Sequence, residues 1–100
     1  MNFKISQQLF KKNIRDALRS AGYFGIIDRR SGQTSFVRRL SLNQYYPRFH
    51  LYLEANQDYL NFSLHLDQKK VSYIGQRAHS GESGGPEVKQ EAARIQSLFK

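Results

Sequence analysis

Strict alternation of apolar and polar residues between positions 48 and 67 constrains this chain more than any other feature. Residues 49–67 read FHLYLEANQDYLNFSLHLD, with an alternating run on each side of ANQD. Because successive side chains of a strand point to opposite faces, the pattern predicts two antiparallel strands joined by a tight turn. A shift of one residue would expose the whole apolar set, so we expect it to face the core. That set is Phe49, Leu51, Leu53, Leu60, Phe62, Leu64 and Leu66.

The opposite face of this strand pair is polar, and its pairing depends on the turn. If Gln57 and Asp58 form the turn centre, Arg48 lies opposite Asp67 and His50 lies opposite His65. If the centre is Asn56 and Gln57, the partners shift by two residues along one strand. Both registers keep the same faces, so the histidines are expected on the face that points away from the core.

The flanking segments predict two helices and two further strands. Residues 6–21 place apolar groups at helical spacing, with Ser6 as N-cap and Gly22 as the stop. Residues 23–40 contain two strand-like runs around RRSGQ, although the register of this hairpin is not fixed by the pattern. Pro86 suits the first turn of a closing helix. The two helical stripes are Phe10, Ile14, Ala17, Leu18 and Ala21, and then Val88, Ala92, Ile95 and Phe99.

These elements predict one α+β domain over residues 1–100, built as a two-layer sandwich. An antiparallel four-stranded meander would carry an N-terminal and a C-terminal helix on one face, in the order α-β-β-β-β-α. Residues 68–85 form a long connection for so small a domain. We expect Tyr73 or Ile74 in it to be buried and His79 to lie near a sheet edge with a structural hydrogen bond.

Positive charge is concentrated in the first half of the chain. Residues 1–50 hold ten Lys and Arg and two Asp, a net charge of +8, whereas residues 51–100 hold six basic and six acidic groups, a net charge of zero. A field concentrated in one region attracts phosphate more effectively than scattered charge. The sequence therefore favours a polyanionic partner, although a merely soluble basic protein would show a similar total.

Composition also excludes several classes of protein. Without cysteine, neither a disulfide framework nor a thiolate zinc site can form. The first residues, MNFKISQQLFKKN, lack the apolar run of a signal peptide, and no segment has the length of apolar sequence that a membrane span needs. We therefore expect a cytoplasmic protein with no membrane association and no cofactor.

The histidines raise two possible chemistries, neither of which the sequence favours. His65, Asp67 and a more distant His79 have the spacing of a two-histidine, one-carboxylate metal site, but such sites normally need a larger barrel. His50 and His65 could act as an acid and a base on RNA, or as part of another histidine-based hydrolase. Without a pocket or a phosphate-binding loop in the pattern, we predict no metal ion and no catalytic residues.

Nucleic-acid binding has more support, because basic and aromatic residues alternate outside the predicted core. Arginine matches phosphate geometry, and tyrosine or arginine planes stack on unpaired bases. We therefore predict a module that binds RNA or DNA through its basic first half and the open sheet face. A protein-interaction domain that uses the open face and residues 76–85 is the alternative. The predicted nucleic-acid-binding residues are Lys11, Lys12, Arg15, Arg19, Arg29, Arg30, Arg38, Arg39, Arg48 and Tyr52.

The chain also resembles a set of short uncharacterised proteins from uncultured bacteria. The segments YPRFHLYL, LNFSLHLDQKK and AHSGE carry the resemblance, which spans roughly residues 36–99 together with the closing helix. It implies that the region around His79 is a defined part of the domain. It implies no catalytic residue.

Overall fold

The alternating pair of strands lies at the centre of the computed structural model, which describes residues 1–10, 13–68, 81–82 and 84–99. The described elements in chain order are β1 (Asn2–Ser6), a short 3-10 helix (Gln7–Leu9), α1 (Ile14–Ser20), β2 (Phe24–Ile27), β3 (Thr34–Ser41), β4 (Gln44–Ala55), β5 (Tyr59–Asp67), β6 (Gly81–Glu82) and α2 (Pro86–Leu98). The sheet is antiparallel, in the order β1-β5-β4-β3-β2. The two-residue β6 pairs with Leu66 and Asp67 at the end of β5, whereas β1 pairs with residues 59–63 of the same strand.

The predicted α+β class and the four-strand meander from β2 to β5 are confirmed, but the strand count and the element order are wrong. The sheet has a fifth strand, β1, and the predicted connection of residues 68–85 contains the short β6. Pairing in the central hairpin follows the Gln57–Asp58 turn, with Arg48 opposite Asp67 and His50 opposite His65. The other expectations for that connection, at Tyr73, Ile74 and His79, lie outside the described residues.

The predicted helix over residues 6–21 is shorter than expected. Ser6 caps the 3-10 helix, where its hydroxyl accepts from the Gln8 backbone N–H, and Asn13 caps α1 by accepting from the Asp16 N–H at 2.9 Å. The chain therefore begins its α-helix only at Ile14. The residues before Gln7 instead pair with β5, because Phe3 and Ile5 alternate and reach the apolar face of the sheet.

Helix α1 ends where the sequence predicted, at Gly22. The Tyr23 N–H donates to the Leu18 carbonyl and the Gly22 N–H to the Arg19 carbonyl, both at 2.9 Å, which is the Schellman arrangement. Gly22 has a φ of 98°, in the left-handed region, and a Cβ there would lie 3.1 Å from the Arg38 side chain. Both conditions favour glycine at this position.

One hydrophobic core joins the two helices to the same face of the sheet. Buried residues of α1 and α2, including Leu18, Val88 and Ile95, pack with the apolar residues of the central strands. Phe10 precedes α1 but still contacts this core, with its ring 4.8 Å from that of Phe99. In the described part of the chain, no helix is both long and apolar enough to cross a membrane.

A buried carboxylate also stabilises the helix-covered side of the sheet. Glu91 of α2 is 5% exposed and accepts from the Tyr23 hydroxyl at 2.6 Å and from Arg94 Nε at 2.8 Å. Arg94 also donates to the Ala21 carbonyl at 2.7 Å, and Arg38 Nη1 lies 3.6 Å from Glu91. Each ionised or polar group in this cluster thus has a partner, as burial requires.

Candidate functional site

A chain of hydrogen bonds crosses three strands on the sheet face opposite the helices. His50 Nδ1 lies 2.8 Å from Asp67 Oδ2, and His50 Nε2 lies 2.7 Å from Ser35 Oγ. The register explains this contact, since His50 pairs with Val37 on β3 and with His65 on β5. Ser35 and Asp67 are therefore its diagonal neighbours, within reach of an imidazole ring.

These three side chains are less exposed than residues of an open sheet face were expected to be. Ser35 is 5% exposed, and the side chains of His50 and Asp67 are 12% and 18% exposed. The ring of Tyr52 stacks on that of His50 at 4.5 Å. His50 lies on the predicted face, and both of its ring nitrogens are engaged there.

Asp67 is held as a carboxylate by two neighbours. Burial alone would raise its pKa, but the hydrogen bond from His50 and the hydrogen bond and charge of Arg48, whose Nε lies 3.3 Å away, outweigh burial and lower the pKa below its ordinary value. The Arg48 guanidinium in turn lies 4.6 Å from the centre of the Tyr46 ring. An ionised carboxylate only accepts hydrogen bonds, so His50 Nδ1 carries the proton in this contact.

His65 stands in a different environment from its cross-strand neighbour. Its Nε2 lies 3.1 Å from Ser63 Oγ, and its ring meets the edge of Tyr52 at 5.8 Å. Burial lowers the pKa of His65, and the positive charge of the Met1 amino group adds to this effect against the attraction of Asp67. His65 is therefore a neutral imidazole at pH 7.

The three residues that the sequence analysis weighed as a metal site do not converge in the described residues. Asp67 faces His50 and Arg48, His65 contacts Ser63, and His79 lies outside the described part of the chain. Residues 1–10, 13–68, 81–82 and 84–99 contain no group of three or more His, Asp or Glu side chains placed to hold a metal ion.

A small hollow opens beside the Ser35–His50 contact. It has a volume of about 210 Å³ and lies between the end of β2 and the centre of the sheet. Ile26, Ile27 and Tyr52 supply apolar surface, and Ser35 and His50 line it as well. The hydroxyl and the imidazole nitrogen that it contacts therefore border a space large enough for a small organic group.

The structure places the predicted nucleic-acid-binding residues at several positions, and Lys11 and Lys12 lie outside the described residues. Five of the predicted residues are exposed on α1, in the turn after β2 or near the end of β3, and they are Arg15, Arg19, Arg29, Arg30 and Arg39. Arg38 reaches Glu91 on the helix side, Arg48 is paired with Asp67, and Tyr52 covers His50. The predicted set is thus split between an exposed edge and two internal ion pairs.

At this exposed edge, two arginines of α1 line a second hollow along β2. Arg15 and Arg19 of α1 line it together with Phe24 of β2, and its volume is about 180 Å³. Phe24 is 58% exposed, although it is a large apolar side chain. In the remainder of this article, the β2 edge means α1, β2 and the turn of residues 28–33.

Sequence reasoning found His50, His65 and Asp67 but missed Ser35. The alternation predicted the register of β4 and β5 within two choices, whereas the adjacent apolar pair Phe36 and Val37 left β3 unassigned to either face. Both residues are buried, one on each side of the sheet, so the pattern carried no signal for Ser35. No family model matches this sequence, and comparisons with curated proteins and with solved structures gave no significant match.

Proposed function

We propose that this chain is a small basic module that binds single-stranded RNA or DNA through its β2 edge and the adjoining open sheet face. The observation that carries the proposal is the β2 edge, where Arg15 and Arg19 line a hollow on the helix side and the 58% exposed Phe24, paired with Val37, lies on the adjoining open sheet face. Arginine forks pair with phosphates, and an exposed aromatic ring stacks on an unpaired base of any sequence. We propose a cytoplasmic location for this role.

Charge pairing within the molecule supports the same surface. Glu91 and Asp67 engage Arg38, Arg94 and Arg48. Among the described residues, the exposed arginines near the β2 edge and the β3–β4 hairpin make no ion pair, and they are Arg15, Arg19, Arg29, Arg30 and Arg39. Their charge is therefore available to a polyanion from outside.

A second aromatic group lies at the end of the β3–β4 hairpin. The Arg39 guanidinium lies 5.3 Å from the centre of the Tyr45 ring, and Tyr45 is largely exposed. Such a pair presents a flat cationic surface on which a base can stack. A strand bound at the β2 edge would need to continue toward this hairpin to use both platforms.

Fluorescence anisotropy with a labelled, mixed-sequence single strand tests the proposal. At low salt, Arg15→Glu and Arg19→Glu should each weaken binding about tenfold or more, since each replaces an attractive phosphate contact by a repulsive one. Phe24→Ala should also weaken binding about tenfold, because loss of one stacked base costs about 1–3 kcal/mol.

Lys89→Glu is the matched control, because it changes the net charge by the same amount as either arginine reversal. Lys89 is exposed on α2, away from the β2 edge, so its reversal should change affinity less than about threefold. Equal losses in all three charge variants would contradict a site at the β2 edge. No binding of the unmodified chain at low salt would contradict the proposed function and favour a protein-docking role for the exposed apolar residues.

A further inference from the structure

We infer that Ser35, His50 and Asp67 form a nucleophilic site that hydrolyses small esters. The three residues repeat the order of contacts in which a carboxylate orients an imidazole and the imidazole activates a hydroxyl. Their distances of 2.8 Å and 2.7 Å are those of well-formed hydrogen bonds. This activity goes beyond the proposed nucleic-acid binding and does not depend on it.

Proton positions follow from the neighbours of each group. Asp67 is an ionised acceptor held by Arg48, so the His50 proton lies on Nδ1 and points to Asp67. Nε2 of the neutral ring then has a free lone pair, and the Ser35 hydroxyl donates to it. Asp67 is therefore a positioning residue that fixes the tautomer, while His50 is placed to act as general base.

The adjoining hollow indicates the class of substrate. Its volume of about 210 Å³ suits a short acyl group, and Ile26, Ile27 and Tyr52 give it apolar walls. Ser35 and His50 both line this hollow, so the proposal seats the acyl carbon beside Ser35. Esters of short-chain carboxylic acids are therefore the expected substrates.

The reaction has two balanced steps. Ser35 Oγ attacks the acyl carbon while its proton passes to His50 Nε2, and the bond from the acyl carbon to the alcohol oxygen then breaks as that oxygen takes the proton from His50. Water next attacks the acyl carbon of the acyl-serine and gives a proton to His50. The bond from the acyl carbon to Oγ then breaks, Oγ takes the proton from His50, and the acid leaves.

The second serine–histidine contact on this face provides an internal comparison. Ser63 Oγ lies 3.1 Å from His65 Nε2, but the described residues show no carboxylate on the other nitrogen of His65. A hydroxyl beside an imidazole that lacks such an orienting partner is a weaker nucleophile. Labelling should therefore distinguish Ser35 from Ser63.

The first experiment treats the full chain with an alkyl fluorophosphonate, followed by intact-mass measurement and peptide mapping. Ser35 Oγ should form a bond to phosphorus as fluoride leaves, and one label per chain should map to Ser35. His50→Gln should slow labelling about 100-fold or more, whereas Ser63→Ala should label at the original rate. Because the mapping uses the unmodified chain, it does not depend on whether a Ser35 variant folds.

The second experiment follows hydrolysis of p-nitrophenyl acetate. Asp67→Asn should lower kcat and leave KM nearly unchanged, because an imidazole in the wrong tautomer still allows substrate to bind. Urea unfolding of each variant shows whether the chain remains folded. The inference is overturned if the unmodified chain takes no label, if the label maps elsewhere than Ser35, or if His50→Gln labels at the original rate.

Discussion

Two carboxylates, one on each side of the sheet, illustrate how single residues are fixed in this molecule. Glu91 accepts three hydrogen bonds beneath the sheet, and Asp67 accepts from His50 and Arg48 on the other face. Burial would raise the pKa of Glu91, but bonds from Arg94 and Tyr23 outweigh it and lower the pKa. The Glu91 cluster could not be predicted from the sequence, because it joins α2 to Tyr23 and Arg38, whereas the alternation already offered Arg48 opposite Asp67 in one register.

Removal of one hydroxyl tests the contribution of the Glu91 cluster. Tyr23→Phe should destabilise the protein by about 2 kcal/mol, since it removes a donor from a buried carboxylate. Urea unfolding followed by circular dichroism measures this change. Tyr59→Phe is the control, because its hydroxyl contacts the exposed Lys4 and Asn56, and it should change stability by less than about 0.5 kcal/mol. Equal effects of both variants would contradict the cluster.

Acid should destabilise the fold through the same residues. The pKa values of Glu91 and Asp67 are lowered in the folded state from ordinary values of 4.5 and 3.8, and the pKa of His65 is lowered from 6.5. The unfolded chain therefore binds protons more readily than the folded chain. Stability from the carboxylates is complete above their unfolded pKa values and is lost as the pH falls through the folded ones.

His65 changes the free energy of unfolding in the same direction, but at higher pH. Its contribution to stability is complete above pH 6.5 and decreases as the pH falls toward its lowered pKa in the folded state. The free energy of unfolding should thus decrease continuously from about pH 7 to pH 3. Urea titrations across this range measure the slope. Glu91→Gln should make the decrease in the free energy of unfolding less steep at the acidic end of this range. A slope identical to that of the unmodified chain would contradict a lowered pKa of Glu91 in the folded state.

At the scale of elements, the sequence correctly predicted the strands and the helix that show one clear amphipathic pattern. The central hairpin and α2 follow directly from periods of two and 3.6, and α2 buries Val88, Ala92 and Ile95 as expected. The start of the chain was not predicted as a strand. Phe3 and Ile5 alternate over too few residues to indicate a strand next to the helical spacing that continues into α1. Only the available edge of β5 makes this segment a strand.

The missed strand β1 gives a direct test at this scale. Ile5→Ala should cost about 3 kcal/mol, because Ile5 is buried in the core opposite Leu60. Lys4→Ala is the matched control on the neighbouring position, whose side chain is exposed, and should cost less than about 0.5 kcal/mol. Chemical denaturation measures both. Equal losses of stability in the two variants would contradict a strand that buries Ile5 and exposes Lys4.

At the scale of the whole molecule, arginines in ion pairs lie within the fold, and exposed arginines without an ion pair among the described residues lie on its surface. Acidic groups engage the arginines that lie within the fold, and the excess of positive charge remains at the β2 edge and the β3–β4 hairpin. The sequence predicted the excess in the first half but not which arginines would be internal. That distinction depends on the β3 register and on the position of α2, which bring Arg38 to Glu91.

Salt dependence of binding to a single-stranded oligonucleotide tests the central claim most directly. If the five exposed arginines near this edge neutralise about five phosphates, the affinity should fall about 100-fold between about 50 and 200 mM salt, and Arg15→Ala should reduce the slope of log affinity against log salt by roughly one phosphate contact. Fluorescence anisotropy at several salt concentrations gives this slope. An affinity that does not change with salt, or no binding at the lowest salt, would contradict a nucleic-acid surface at the β2 edge.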